Sequence, residues 1–180
     1  MAYLDLPRLA LTPEAFATQY VGSLLYWLGG SQGDPLAAGA GPRIESYFDP
    51  GFQLATVGRY GSKLLSDYQM LFYQALQRER PDQHLLLAMA FNWPEVWAQA
   101  TGRRAMLLID EFPELLALHN YPQIRDVLAL FRAVLQAQSH VCYIVAGSMI
   151  GLMERGLRAN WDWPRKVRCA NCCKDLPARK

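Results

Sequence analysis

The stretch Ala105-Met106-Leu107-Leu108-Ile109-Asp110-Glu111-Phe112 decides the fold of this chain. Its uninterrupted apolar run predicts a strand of a parallel sheet that is buried on both faces, since a half-exposed strand would alternate apolar and polar residues. The run stops on two adjacent carboxylates, Asp110 and Glu111. Two acids at the end of a buried strand are costly to desolvate unless a cation meets them, so we expect a cation at this point.

The composition indicates one globular domain. The chain has 180 residues, of which 52% are hydrophobic and 19% charged, which is enough for a core of its own. The net charge of +2 is too small to indicate nucleic-acid binding by overall electrostatics. Residues 1–5 lack the basic segment of a secretory signal, and the longest uncharged stretch, 133–153, is too polar to span a membrane. We therefore expect a cytoplasmic protein with reduced thiols and no membrane segment.

Helical periodicity and capping residues predict most of the other elements. Thr12 is a good N-cap for a helix over 13–30, and further helices are expected over 62–80, 82–91 and 92–102 and from Pro122 onward. The segment 31–61 is rich in glycine, proline and serine, which predicts a long irregular connection. Residues 141–146 predict a second buried strand, and residues 3–7 predict the end of a shorter one.

This alternation of strands and helices predicts an α/β fold with a parallel sheet flanked by helices. Ligands of such sheets bind at the carboxyl ends of the strands. Asp110-Glu111 and Gly147-Ser148 each follow a predicted strand. We therefore expect these two pairs to meet at one edge of the sheet and to form a single site.

Two motifs carry a resemblance to a known family. They are Leu107-Leu108-Ile109-Asp110-Glu111-Phe112-Pro113-Glu114-Leu115 and Tyr143-Ile144-Val145-Ala146-Gly147-Ser148-Met149-Ile150-Gly151-Leu152-Met153. They resemble the Walker B motif and the sensor 1 strand of prokaryotic, archaeal-type ATPases of the AAA+/STAND class. Tyr3-Leu4-Asp5-Leu6 is similar to the strand that follows the P-loop helix in that family, so the resemblance covers residues 1–157.

The resemblance implies a partial P-loop NTPase core over 1–157 that binds ATP and Mg²⁺. It implies that Asp110 holds Mg²⁺ through the water shell of the ion, and that Glu111 polarises the attacking water. It also implies that Ser148 occupies the sensor position near the γ-phosphate. A remodelled protein or a DNA partner would be contacted through other regions, and the sequence indicates no oligomeric state.

The chain departs from the family pattern at its beginning. A P-loop requires G-x-x-x-x-G-K-[ST], whose amides and lysine hold the phosphates, but no Gly-Lys dipeptide occurs in the 180 residues. Gly58-Arg59-Tyr60-Gly61-Ser62-Lys63 has the wrong spacing and follows no apolar strand. We therefore expect that the chain begins after the P-loop, and that its own ATPase activity is weak or absent.

The chain also departs from the family at its end, in a basic, cysteine-containing tail over 158–180. Cys169-Ala170-Asn171-Cys172-Cys173 includes the Cys-x-x-Cys spacing of half a zinc site, without a second pair nearby, and a solvated or non-native tail is the alternative. The basic tail leaves a second function open. The chain could instead be a non-enzymatic interaction module that contacts nucleic acid or an acidic partner.

Three other features have a structural explanation. Trp93 and Trp97 are expected to pack against the sheet rather than to stack on bases. Arg103-Arg104 is expected in a solvated turn, and Cys142, which lies in an apolar run, is expected to be an inert core residue.

Overall fold

The computed structural model describes residues 1–9, 12–30, 42–147 and 167–169 of the chain. Within these residues the strands are β1 (Ala2–Asp5), β2 (Ala105–Asp110), β3 (Val141–Val145) and β4 (Val167–Cys169). The α-helices are α1 (Pro13–Gly30), α2 (Pro50–Gly58), α3 (Lys63–Leu76), α4 (Gln83–Thr101) and α5 (Val127–Ala137). The segments Leu6–Arg8, Ile44–Phe48 and Phe112–Asn120 are 3₁₀ helices.

The strands form one parallel sheet in the order β1-β2-β3-β4, which confirms the predicted α/β class and the parallel sheet. Asp5 is in register with Asp110, and Ile109 is in register with Val145, so the carboxyl ends of β1, β2 and β3 lie at the same edge. Each strand is followed in the sequence by its immediate neighbour in the sheet, and each step crosses the sheet in the same direction. Right-handed crossovers that all advance in one direction place their helices on one face of the sheet.

One face of the sheet is covered by helices α1, α4 and α5. Leu107 and Tyr143 on this face are fully buried. The ring of Phe131 in α5 contacts both Tyr143 and Phe91 of α4, with centroid distances of 5.6 and 4.9 Å. Trp93 and Trp97 of α4 are also buried, as expected for core residues, although the indole N–H of Trp93 bonds to Gln69 of α3 and not to the sheet. Aromatic packing of this kind adds about 1 kcal/mol per pair to the burial of apolar area.

The opposite face, which we call the open face, carries Tyr3, Met106, Leu108, Cys142 and Ile144. Met106 is 43% exposed, and the other four side chains are partly exposed. The prediction that 105–110 is buried on both faces is therefore wrong for the part of the chain that the structure describes. An apolar run does not reveal how many of its faces are covered, because that depends on which side each crossover takes. Cys142, which was expected in the core, lies on the open face.

Of the segment 31–61 that was predicted to be irregular, residues 31–41 lie outside the described residues. The remainder, 42–61, is more regular than predicted, because it includes α2 and the 3₁₀ helix Ile44–Phe48. Asp49 caps α2 by accepting a hydrogen bond from Phe52 N. Gln53 in α2 is fully buried, and its Nε2 donates to the carbonyls of Thr18 and Tyr47, both at 2.7 Å. These buried hydrogen bonds join α1, α2 and the 3₁₀ helix. The irregular-loop prediction was wrong here because glycine and proline at helix ends resemble loop residues in sequence.

Helix α4 is continuous where two helices were predicted, with Pro94 inside it. Trp93, immediately before the proline, donates its indole N–H to Gln69 Oε1 at 2.9 Å, and Gln69 Nε2 donates to Gln53 Oε1 at 3.1 Å. Since Trp93 and Pro94 are both buried, tertiary packing outweighs the cost of a proline in the helix interior. The helix ends, as predicted, at Gly102, which adopts a left-handed conformation.

The last long helix also begins later than predicted. Helix α5 starts at Val127, with Asp126 as the N-cap that accepts from Ala129 N at 2.9 Å, whereas Pro122 lies in the preceding turn. Similarly, α3 ends at Leu76 rather than at residue 80. Both differences are at the ends of helices, where capping geometry rather than periodicity determines the residue at which the helix begins or ends.

A buried carboxylate ties α4 to the start of β3. Glu95 Oε2 accepts the backbone N–H groups of Ser139 and His140 at 3.0 and 2.9 Å, while Oε1 lies 2.7 Å from His140 Nδ1 and 3.1 Å from Gln99 Nε2. Burial raises the pKa of the Glu95 carboxyl, but the hydrogen bonds from His140, Gln99 and Ser139 outweigh burial and leave the pKa below its ordinary value. Glu95 is therefore held in its ionised form.

The lowered pKa of Glu95 predicts a loss of stability in acid. A carboxyl whose pKa is lower in the folded chain stabilises the fold above its unfolded pKa of about 4.3, and this contribution is lost as the pH falls through the folded value. We expect the free energy of unfolding to decrease below about pH 5. The decrease should be smaller in Glu95→Gln, which has no titrating carboxyl at this position. Urea unfolding at a series of pH values tests this, and identical pH profiles for the two proteins would contradict it.

Candidate functional site

The candidate site lies at the carboxyl edge of the sheet, where Asp110 ends β2 and Glu111 follows. Ala146 N donates to Ile109 O at 2.8 Å, and Phe112 N donates to Ala146 O at 2.8 Å. These bonds hold the end of β3 beside Asp110 and Glu111. The two strand ends thus lie side by side as far as Ala146. Ser148 lies outside the described residues, so the prediction that Gly147-Ser148 and Asp110-Glu111 form a single site stays a prediction.

Both carboxylate oxygens of Asp110 accept hydrogen bonds from neutral donors. The Tyr3 hydroxyl donates to Oδ2 at 3.0 Å, and Glu111 N donates to Oδ1 at 3.0 Å. Burial and the hydrogen bond to Asp110 raise the pKa of Tyr3, so its hydroxyl remains a proton donor. Among the described residues no cationic side chain pairs with Asp110, whereas the neighbouring Asp5 pairs with Arg8 at 2.8 Å. The negative charge of Asp110 is oriented by its neighbours and is not neutralised by them.

Glu111 has a backbone conformation that is unusual for its residue type. Its φ of 48° and ψ of 45° are left-handed, and it is the one non-glycine residue with positive φ in the described part of the chain. Such a conformation costs a residue with a Cβ about 1 kcal/mol. It turns the chain from β2 into the 3₁₀ helix Phe112–Asn120, with Pro113 in the first turn. Strain of this kind is often found at functional sites, where the direction of one side chain matters.

The left-handed backbone of Glu111 predicts that glycine at this position gives a more stable fold than alanine does. Glu111→Gly should raise the free energy of unfolding by about 1 kcal/mol relative to Glu111→Ala, because both variants lose the carboxylate and only glycine tolerates positive φ. Thermal and urea unfolding of the two variants measure this difference. Equal stability of the glycine and alanine variants would contradict a left-handed backbone at this position.

The donor set suits a hard cation that is only partly held by protein. Among the described residues, no group of three or more histidine, cysteine, aspartate and glutamate side chains is arranged to hold a metal ion. Mg²⁺ at phosphate sites is usually bound by one or two carboxylates, with water and phosphate oxygens as the remaining ligands. Asp110 fits this role, because it offers oxygen ligands whose position is set by Tyr3 and by Glu111 N.

Tyr3 is the site residue that the sequence interpretation missed. It is in register with Leu108, and its side chain reaches Asp110 two residues further along the neighbouring strand. The sequence does place Tyr3 on the same face of β1 as Asp5, because the two residues are two positions apart in a strand. The register between β1 and β2, which decides the contact, is not encoded in either segment alone.

The other sequence-predicted positions lie away from this edge or outside the described residues. Gly58–Lys63 forms the turn between α2 and α3, with Gly61 at a φ of 66° and Ser62 as the N-cap of α3, so the structure places it in a helix–helix connection. Arg103 and Arg104 are exposed, as expected of a solvated turn. Cys172 and Cys173 are outside the described residues, and only the backbone of Cys169 is described, so the zinc hypothesis stays a prediction.

Comparisons with protein-family models, with curated proteins and with solved structures find no match to this chain. The class of protein therefore rests on the fold and the site alone, as an α/β chain with an acidic pair at the carboxyl edge of its sheet, of which the Asp110 carboxylate is oriented by two hydrogen bonds. Among the helices that the structure describes, none combines the length and the apolar character needed to cross a membrane.

Proposed function

We propose that Asp110 and Glu111 form the metal-binding and water-orienting half of a nucleoside triphosphate hydrolase site, in a chain related to the archaeal-type ATPases of the AAA+/STAND class. Asp110 would hold Mg²⁺ through the water shell of the ion, and Glu111 would orient the water that attacks the γ-phosphate of ATP. Ser148 would take the sensor position near that phosphate. When bound, Mg²⁺ neutralises charge on the β- and γ-phosphate oxygens.

The observation that carries the proposal is the environment of Asp110. Its carboxylate lies at the carboxyl edge of a parallel sheet, where ligands of such sheets bind. Both its oxygens are positioned by neutral donors, and no cation of the described chain compensates its charge. The left-handed backbone of the next residue, Glu111, adds support, because strain of this kind is often found at functional sites.

The phosphate-binding half of such a site is not supplied by a Gly-Lys motif, which the 180 residues lack. Backbone amides and a lysine are the main anchors for the phosphates of bound ATP. We therefore propose that this chain alone binds Mg²⁺-ATP weakly, with a dissociation constant of about 1 mM, and hydrolyses it slowly or not at all.

Titration of the ¹⁵N-labelled chain with ATP, with and without Mg²⁺, tests the proposal by NMR. We expect the amide resonance of Glu111 to shift in a saturable way with Mg²⁺-ATP, because this N–H is bonded to Asp110 Oδ1. Asp110→Asn should reduce the affinity by about tenfold, since a charged ligand contact is worth about 1.5 kcal/mol or more.

The matched control is Glu114→Gln, which removes one acidic charge from an exposed position in the same segment. It should leave the affinity nearly unchanged. Equal affinities for the unmodified chain and Asp110→Asn would overturn the role of Asp110. Micromolar affinity with phosphate release that Glu111→Gln abolishes would support the two carboxylates but contradict the proposed weakness of the isolated chain.

The alternative function, an interaction module that uses its basic tail, depends on residues 158–180. The structure describes only the backbone of 167–169 in this region, so no observed contact favours it. DNA retention at low salt that disappears when 158–180 are deleted would favour this alternative.

A further inference from the structure

A cavity lies at the opposite edge of the sheet from Asp110. Its volume is about 440 Å³, which is in the range of small-molecule sites. It is formed where β2 and β3 begin, and β2 rises about 3.3 Å per residue, so the cavity is about 17 Å from Asp110. Its lining residues include Arg104, Met106, Ser139, His140, Val141 and Cys142. The proposed nucleotide site uses none of them.

The imidazole of His140 connects this cavity to the buried carboxylate of Glu95. Nδ1 lies 2.7 Å from Glu95 Oε1, and the side chain of Glu95 is 6% exposed, whereas that of His140 is 46% exposed. The carboxylate also accepts hydrogen bonds from the backbone N–H groups of Ser139 and His140, so its position is fixed. Because Nδ1 faces the ionised carboxylate of Glu95 and donates to it, the other ring nitrogen, Nε2, is an acceptor in the neutral imidazole, and the ring itself is held in one orientation.

Arg104 supplies a cation to the same cavity. Its side chain is exposed, and the ion pairs among the described residues do not involve it. A guanidinium group presents several N–H donors in a planar fork that matches a carboxylate or a phosphate. Met106, which is 43% exposed, and Cys142 provide an apolar wall beside this cation. The cavity therefore combines a cation, an oriented imidazole and a solvent-exposed apolar surface.

We propose that this cavity binds a small amphipathic anion, a carboxylate or a phosphate monoester with a short apolar portion. The charged group is held by the guanidinium of Arg104, and the apolar portion covers Met106 and Cys142. Glu95 does not line the cavity, and its carboxylate lies behind the imidazole of His140 with a side chain that is only 6% exposed. Covering the exposed apolar wall adds to the affinity, since apolar burial is favourable in proportion to its area.

NMR titration of the ¹⁵N-labelled chain with four probes tests this site. The probes are hexanoate, phenyl phosphate, hexanol and inorganic phosphate. We expect saturable shifts at the amides of Met106, Val141 and Cys142 with hexanoate or with phenyl phosphate, and binding at least about tenfold weaker for hexanol, which lacks the charge. The tighter of the two charged organic probes identifies the preferred anion. Inorganic phosphate should bind more weakly than phenyl phosphate, because it has no apolar portion.

Two arginine variants separate a specific contact from general electrostatics. Arg104→Gln should weaken binding of the preferred anion by about tenfold. Arg103→Gln removes the same charge from a neighbouring exposed residue that does not line the cavity, and it should change the affinity by less than about twofold. Equal effects of the two variants, equal affinity for hexanoate and hexanol, or the absence of saturable shifts with both charged organic probes would each overturn the proposal.

Discussion

The Leu107→Lys variant is expected to lose cooperative folding. Leu107 lies in the middle of β2 and is fully buried on the face that α1, α4 and α5 cover. A lysine there must either bury its ammonium group or push apart the helices that cover the sheet. Either outcome costs about 4 kcal/mol or more, which approaches the whole stability of a domain of this size.

The neighbouring position provides the matched control. Met106 lies on the open face and is 43% exposed, so Met106→Lys should change the free energy of unfolding by about 0.5 kcal/mol. Urea unfolding followed by circular dichroism and by tryptophan fluorescence measures both variants. If the two substitutions were equally destabilising, β2 would be covered on both faces, and the distinction between the covered face and the open face would be wrong.

The Gly22→Ala variant is expected to destabilise the chain by about 3 kcal/mol, although alanine is the better helix former. Gly22 lies in α1, and a Cβ at this position would overlap the carbonyl oxygen of Tyr47 and lie 3.1 Å from Gln53 Nε2. The first contact is with backbone, which has little freedom to move. That carbonyl also accepts the hydrogen bond from Gln53, so the added methyl group displaces a buried polar contact as well.

Gly58→Ala is the control for Gly22→Ala. Gly58 is the last residue of α2, and a Cβ there would meet no atom within 4 Å. This change should stabilise the chain by up to about 1 kcal/mol, because alanine loses less conformational entropy in a helix. Thermal unfolding of the two variants should therefore shift in opposite directions. A neutral or stabilising Gly22→Ala would contradict the close packing of α1 against the 3₁₀ helix Ile44–Phe48.

Local patterns in the sequence predict the strands and the long helices of this fold well. Strands β2 and β3 are apolar runs of strand length that end in polar residues or glycine, and α1 begins at a capping threonine followed by proline. In contrast, the short α2 was missed because it begins at proline and ends at glycine, which are typical of loops. The continuity of α4 through Pro94 was missed because it depends on the burial of Trp93 by other segments.

The candidate site, like the fold, could be predicted from the sequence where local residues determine it, and not where tertiary contacts do. Asp110 and Glu111 are recognisable in the sequence because the acidic pair directly follows an apolar run of strand length. The hydrogen bond from Tyr3 to Asp110 depends on the register between β1 and β2, and the cavity beside His140 depends on the contact of Glu95 with β3. Each of these contacts joins residues that are far apart in the sequence. The exposure of Met106 depends on the direction of each crossover, which no single segment encodes.

Paramagnetic broadening by Mn²⁺ in place of Mg²⁺ tests the central claim most directly, because it locates the ion along the chain. With Mn²⁺-ATP added to the ¹⁵N-labelled chain, we expect selective loss of the amide signals of Glu111, Phe112 and Ala146, which lie at the carboxyl edge of β2 and β3. The loss should be absent in Asp110→Asn and retained in Glu114→Gln. Broadening that spares these amides, or that persists unchanged in Asp110→Asn, would contradict a metal–nucleotide site at Asp110 and Glu111.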